Sequence, residues 1–225
     1  KIEDISKDCD ILVVSHYHYD HHFPHSQLWQ GKKVFAKDRL KNINKSQKGR
    51  GLEFEQNVKE MCELIYCDDS SYSTDDTEIK FSPPFPHGPE GSRLGYVIMT
   101  TIDDGYRFLH ASDVQGPVSE RARDYIIAQS PDLLMIDGPP TLFLGWKFSL
   151  KNLEDSIANL LKIIEELDCD IILDHHLLRD LKYKEHLRKV YERGKIVSAA
   201  EYLGLENNLL EAHRKELWAE VKRSQ

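Results

Sequence analysis

Short apolar runs separated by polar, turn-forming residues occupy the first half of the chain. Cys9 to Val14 is a short β-branched run that reads as a buried strand. Lys33 to Ala36 reads as a second short strand, and between them Pro24 precedes a segment, His25 to Trp29, that reads as a short helix. Residues 37–50 carry Lys37, Arg39, Lys41, Lys45, Lys48 and Arg50, which reads as a solvated, mobile segment, and helix is expected from Phe54 to Cys62. Residues 68–76 are polar and turn-rich, and Thr77 to Phe81 alternates as a strand does. Strands at Leu94 to Ile102 and Tyr106 to Ala111 flank Asp103-Asp104-Gly105, a hairpin signal.

From Val118 onward helix and strand alternate: helix to Gln129, strand at Leu133 to Ile136, helix at Leu153 to Leu167, strand at Asp170 to Leu173. The second of these helices is amphipathic, with Leu153, Ile157, Leu160, Leu161, Ile164 and Leu167 on one stripe. Residues 180–193 and 205–222 read as charged surface helices. Strands followed by βα units predict a layered α/β, or α+β, architecture, taken as a single domain over residues 1–225.

Composition narrows the function classes. The chain has 225 residues, 40% hydrophobic and 30% charged, which suits a globular core. No apolar run nears the roughly 20 residues of a membrane span, and no secretory leader is visible, so a cytoplasmic protein that does not enter the membrane is expected. Lys and Arg number 30 against 38 Asp and Glu, a net charge of −8. That balance argues against a broad nucleic-acid surface and favours a small-molecule partner. Cys9, Cys62, Cys67 and Cys169 form no C-x-x-C pair and read as reduced thiols, Cys62–Cys67 being the only pairing considered for a disulfide. Oligomeric state is not legible.

Histidine changes the picture. Of 11 histidines, five lie between His16 and His25, directly after the first predicted strand. On extended backbone residues i and i+2 point the same way about 7 Å apart, so His16 and His18 can converge on one cation. A turn after Tyr19 would aim Asp20 and His21 at a second position. An affinity-tag-like run would be terminal and would lack the interleaved Asp20 and the preceding strand.

The His16-x-His18-x-Asp20-His21 signature resembles that of the metallo-β-lactamase superfamily of metal-dependent hydrolases. The resemblance implies a four-layer αββα sandwich and three more ligands downstream, a histidine, an aspartate and a histidine. The chain supplies them in order: His87 in Pro86-His87-Gly88, Asp113 in Ser112-Asp113-Val114, and His175 or His176 after Ile171 to Asp174. Taken singly, His87 would read as structural and Asp113 as a turn residue. Carried over, the resemblance implies one metal held by His16, His18 and His87, a second by Asp20, His21 and His175, and Asp113 as bridge. His175 is preferred to His176 because Arg179 follows it by four, as in similar members. The implied cofactors are two divalent ions, Zn(II) first, with Fe or Mn compatible with the same donors.

The implied activity is a binuclear metallohydrolase, with a metal-activated hydroxide attacking an ester, thioester or lactone and Asp20 and Asp113 as catalytic carboxylates. A phosphodiesterase or nuclease on the same metals, gripping phosphates with the basic segment 37–50, is the first alternative; a non-hydrolytic iron redox or metal-binding protein is the second. Lactam-hydrolysing members commonly carry cysteine where Asp113 stands, so antibiotic hydrolysis is not expected. Phe23-Pro24, Asp113-Val114-Gln115-Gly116-Pro117, Asp137-Gly138-Pro139-Pro140 and Asp174 to Asp180 also resemble an archaeal group within the superfamily that has no assigned substrate. Members normally carry β-strands before the first motif, yet 15 residues precede His16, so the resemblance implies that N-terminal strands are missing from this chain.

Overall fold

A computed structural model describes residues 2–74 and 76–223; Lys1, Asp75, Ser224 and Gln225 lie outside the described residues. The backbone divides into two compact units, one running through His87 and resuming over Gly91–Thr100, the other comprising Gly88–Glu90 and the chain from Thr101 onward.

The first unit opens with α1 (Ile2–Ser6) and β1 (Ile11–Val14), followed by a 3-10 turn at Gln27–Trp29, β2 (Lys33–Ala36), α2 (Lys45–Val58) and β3 (Glu63–Tyr66). β1, β2 and β3 form a parallel sheet in that order, with Ile11 opposite Lys33 and Lys33 opposite Glu63. That register sets the Lys33 ammonium 3.2 Å from the Glu63 carboxylate. A hairpin of β4 (Ser70–Ser73) and β5 (Glu78–Phe81) and a two-residue ladder of β6 (Phe85–Pro86) with β7 (Tyr96–Val97) complete the unit. Val14, Tyr17, Trp29, Val34, Ala36, Phe54 and Val58 form its core.

Helix α2 buries Gln47, Gly51, Phe54 and Val58, the spacing of one helical face. Asn44 caps it, its Oδ1 accepting the Gln47 amide at 2.7 Å. Gly51 has to lack a side chain, since a Cβ there would meet the Tyr17 ring at 2.9 Å and Arg39 Cβ at 2.8 Å.

The basic segment is corrected by the structure. Helix begins at Lys45 rather than Phe54 and stops at Val58. Lys37 is fully buried: its ammonium donates to Asp68 Oδ2 at 2.6 Å and to the carbonyls of Lys41 and Asp38 at 2.7 and 3.0 Å. Three acceptors match the three protons of the ammonium, which is what makes such burial tolerable. Arg39 pairs with Glu55 at 2.6 Å, and Arg50 lies over the Tyr19 ring while donating to the Tyr17 carbonyl at 3.3 Å. Lys37, Arg39 and Arg50 are therefore tied down, while Lys41, Lys45 and Lys48 are exposed as expected. The stretch 68–76 contains β4, and the strand expected over 94–102 is broken at Ile98–Met99, whose backbone bonds run instead to Ser15 and Ser82. The short helix expected from His25 is the 3-10 turn, capped by Ser26.

The second unit contains β8 (Thr100–Asp103), β9 (Arg107–His110), α3 (Glu120–Gln129), β10 (Leu133–Asp137), α4 (Leu150–Glu166), β11 (Asp170–Asp174), α5 (Tyr183–His186), α6 (Arg188–Tyr191), β12 (Ile196–Val197), α7 (Ala199–Tyr202) and α8 (Arg214–Arg223), with 3-10 turns at Thr141–Phe143 and Leu177–Arg179. Its strands lie in the order β12-β11-β10-β9-β8, and β9 to β12 are mutually parallel. The hairpin turn is pinned by Asp103 and Asp104, whose carboxylates accept the amides of Gly105 and Tyr106.

Helix α4 buries Leu153, Ser156, Asn159, Leu160 and Ile163 most deeply, a stripe rotated from the apolar one. Asn159 explains the rotation. Its amide donates to the carbonyls of Pro117 and Val118 at 3.1 Å and accepts from Arg123 at 2.8 Å. The segment 180–193 holds two short helical turns, and the last helix starts at Arg214, not at residue 205. All four cysteines are free thiols, so Cys62 and Cys67 are not bridged. Among the described residues no helix is long and apolar enough to cross a membrane.

Candidate metal centre

The first unit collects imidazoles. β1 runs out at Val14, and the chain stays extended enough for alternate residues to part company. Tyr17 turns into the core and donates its hydroxyl to the Lys37 carbonyl at 2.5 Å, while His16 and His18 face each other with ring centroids 4.7 Å apart. His87, just past β6, is anchored by its amide to the Gly95 carbonyl at 2.9 Å. Its ring lies 5.4 Å from that of His16 and 4.9 Å from that of His18. One donor atom from each of the three lies within 4.8 Å of the others. His16 and His87 are buried. The His21 ring sits 4.2 Å from the His16 ring, and its Nε2 is 3.9 Å from Asp20 Oδ1.

The rings are held from behind. Ser15 Oγ meets His16 Nδ1 at 3.1 Å. His22 Nδ1 donates to the His18 carbonyl at 2.9 Å, and burial lowers the His22 pKa. Gln47, fully buried on α2, donates to the Leu94 carbonyl at 2.8 Å and lies 3.4 Å from His18 Nε2. Sequence reading left His22 undecided and did not single out Gln47. His25 faces solvent beside Glu53 at 3.3 Å.

The second unit collects carboxylates and histidines at strand ends. Asp113 follows β9, with Ser112 at φ +56° and Gln115 at φ +59° on either side; His175 follows β11 at φ +62°. Non-glycine residues in the left-handed region cost about 1 kcal/mol or more each, and such strain gathers at functional sites. Asp113, His175 and His176 offer donor atoms within 4.8 Å of one another. His175 Nε2 is 3.5 Å from Asp113 Oδ2. Burial alone would lower the His175 pKa, but Asp113 and Asp137 outweigh it and the net shift is upward, against an opposing push from Arg179.

The grip of Asp137 on His176 is not legible in the sequence, where the Asp137-Gly138-Pro139-Pro140 segment reads either as a strand-exit turn or as part of the substrate pocket. Buried at the end of β10, Asp137 grips His176 twice: Oδ1 accepts the backbone amide at 3.0 Å and Oδ2 accepts Nδ1 at 2.9 Å. Asp174 works on backbone rather than on a ring, accepting the amides of His175 at 2.6 Å and Ala199 at 2.7 Å. Asp137 and Asp174 end adjacent parallel strands in register, a pairing that only the fold reveals. The donor chemistry of both clusters, imidazoles with ionisable carboxylates, fits divalent transition metals.

The fold places the chain in a known class. It matches the isothiocyanate hydrolase from Delia radicum gut bacteria with a TM-score of 0.58 at 15% identity, over 89% of this chain and 77% of that one. It matches a possible metal-dependent hydrolase from Veillonella parvula with a TM-score of 0.57 at 12% identity, over 88% and 76%. Zinc-bound PqqB from Methylobacterium extorquens follows at 0.51 and 13%, over 84% and 70%. The architecture is the α/β metallo-β-lactamase fold.

Within that class the chain belongs to the archaeal UPF0282 family. It is 42% identical over 235 residues to the UPF0282 protein of Methanopyrus kandleri, covering 97% of this chain and 80% of the relative. It is 40% identical over 231 residues to that of Methanocaldococcus jannaschii, covering 96% and 77%. No protein-family model matches the chain.

Proposed function

We propose that this protein is a metal-dependent hydrolase of ester, thioester or lactone bonds, using two divalent ions, zinc first. The observation that carries the reading is the convergence of His16, His18 and His87, three imidazoles from two distant segments with ring centroids 4.7 to 5.4 Å apart. In this reading they hold one ion, Asp20, His21 and His175 hold the other, and Asp113 bridges. His175 is preferred over His176 because Arg179 follows it by four residues, as in similar members, and because its Nε2 lies 3.5 Å from Asp113 Oδ2.

When bound, two such ions lower the pKa of a shared water to about 7, providing the nucleophile. Asp113 then carries the proton from the attacking water to the departing group as the scissile bond breaks. Asp20 helps fix the position of that water. An aspartate at position 113 rather than a cysteine favours ester, thioester and lactone substrates over lactams.

The test is a panel of p-nitrophenyl acetate, an acyl thioester, a lactone and bis-p-nitrophenyl phosphate. Turnover of one of the first three, abolished by chelation and restored by zinc, is expected. Cleavage of the phosphodiester alone, or iron-dependent redox activity without hydrolysis, would overturn the reading.

A further inference from the structure

The second unit has a cleft of about 720 Å³ whose lining includes none of Asp113, Asp137, His175 and His176. One wall is the 3-10 turn after β10, with Leu142 and Phe143; the other is α8, with Lys215, Trp218 and Lys222; Arg179 contributes from the turn after β11. Its size falls in the range of small-molecule sites.

Three features define what it would take. The first is charge. The lining holds four cations, Arg179, Arg214, Lys215 and Lys222, against two carboxylates, Glu211 and Glu216, a local excess of +2 in a chain of net −8. Glu211 is matched to Arg214 at 3.4 Å, which leaves Lys215 and Lys222 as the α8 cations that would meet an anion. The second is aromatic surface. Trp218 is 57% exposed and Leu142 52%, with Phe143 beside them, which is apolar area suited to a flat ring. The third is reach. Arg179 follows His175 by four residues, so their Cα atoms are at most about 14 Å apart. A ligand of modest size in the cleft can extend to that histidine.

We infer that the cleft binds the non-reacting part of the substrate, a planar ring carrying an anionic group, and so adds a specificity site to the hydrolase reading, on which this assignment rests. A second copy of the chain fits less well. A two-fold contact would set this cationic patch against itself.

The test is calorimetric titration of the metal-loaded full chain with AMP, adenosine, inorganic phosphate and 2-naphthoate. One saturable site for AMP is expected, with adenosine and phosphate each weaker by roughly tenfold or more, since neither engages both features. Lys215→Glu with Lys222→Glu should weaken AMP by a similar factor, and Trp218→Ala should weaken AMP but not phosphate. These residues are exposed, so the variants should fold. Naphthoate binding as tightly as AMP supports a carboxylate source for the anion; AMP alone supports a phosphate source. Failure of both to saturate, binding indifferent to the variants, or a dimer lost in Trp218→Ala without ligand binding would each overturn the assignment. Binding is read without turnover. A variant-sensitive AMP site in a protein that cleaves no ester, thioester or lactone would keep the cleft as a binding site while ending the hydrolase reading and the cleft's role as a substrate site. Ester turnover with no AMP or naphthoate binding would do the reverse.

Discussion

The two clusters reach similar chemistry by opposite means. In the first unit the donors are mostly imidazoles, two of them at alternate positions of the same extended strand exit, braced by a hydroxyl, a buried glutamine and a second histidine. In the second unit the donors stand at the ends of parallel strands, sit next to left-handed backbone, and are braced by carboxylates. The contrast separates two jobs. Imidazoles tolerate burial because they carry no charge to desolvate; carboxylates supply the charge that holds a divalent cation but have to be oriented by register and strain.

The sharpest way to break this comparison is to remove the one carboxylate that the account asks to serve both ions. Asp113→Ala should abolish hydrolysis and cost both metals, whereas His16→Ala should lose turnover while retaining about one metal per chain, the other being held by Asp20, His21, His175 and Asp113. Elemental analysis beside activity separates the two. Equal metal content in the variants would erase the distinction.

Next in size is the brace of the first unit. Lys37→Met leaves Asp68 buried without its cation and should destabilise the protein by about 3–5 kcal/mol in urea unfolding. The loss should depend on pH in a defined sense. Burial raises the Asp68 pKa in spite of Lys37, and removing Lys37 raises it further. A carboxylate that holds its proton more tightly when folded makes stability fall as pH rises above its ordinary value of 3.8. The gap between variant and wild type should therefore narrow in acid.

A smaller effect isolates orientation in the second unit. Asp137→Asn keeps the size of the group that grips His176 but removes its charge; with His175 as the ligand it should lower kcat/KM by about 10-fold and leave metal content unchanged, whereas a loss of metal affinity of about 10- to 100-fold would make His176 the last ligand. An effect as large as that of Asp113→Ala would make Asp137 a ligand instead.

The smallest effect is expected at α7, whose first amide, Ala199, is bound by Asp174, which in turn holds the His175 amide. Glu201 completes a capping box with Ser198. Although burial raises the Glu201 pKa, hydrogen bonds from Lys184 and Ser198 bring it below its ordinary value of 4.5. Its contribution is present above that value and lost as pH falls through the depressed one. Glu201→Gln should cost about 0.5 kcal/mol near neutrality and nothing in strong acid.

The same contrast explains what could be read in advance. His16 and His18 were legible because strand alternation is local: the residue between them, Tyr17, goes to the core. The strands expected at 9–14, 33–36, 77–81, 133–136 and 170–173 were legible from equally local signals, short apolar runs or alternation, and fall within a residue or two of the observed 11–14, 33–36, 78–81, 133–137 and 170–174. Asp137 was not, since its partner is 39 residues away and only the register of β10 and β11 brings them together. Nor was Lys37, whose burial is decided by Asp68, 31 residues on; charge alone made the segment look solvated. Helix α2 started earlier than expected because its buried face includes Gln47 and Gly51, which no apolar pattern marks.

The central claim of the proposed function is that His16, His18, Asp20, His21, His87, Asp113 and His175 would hold two metal ions in one dinuclear centre. X-ray absorption on the zinc-loaded protein tests it most directly. The account predicts two zinc ions per chain with nitrogen and oxygen neighbours and a metal–metal scattering path of about 3.5–4 Å. One zinc per chain, or two with no metal–metal path, would contradict it.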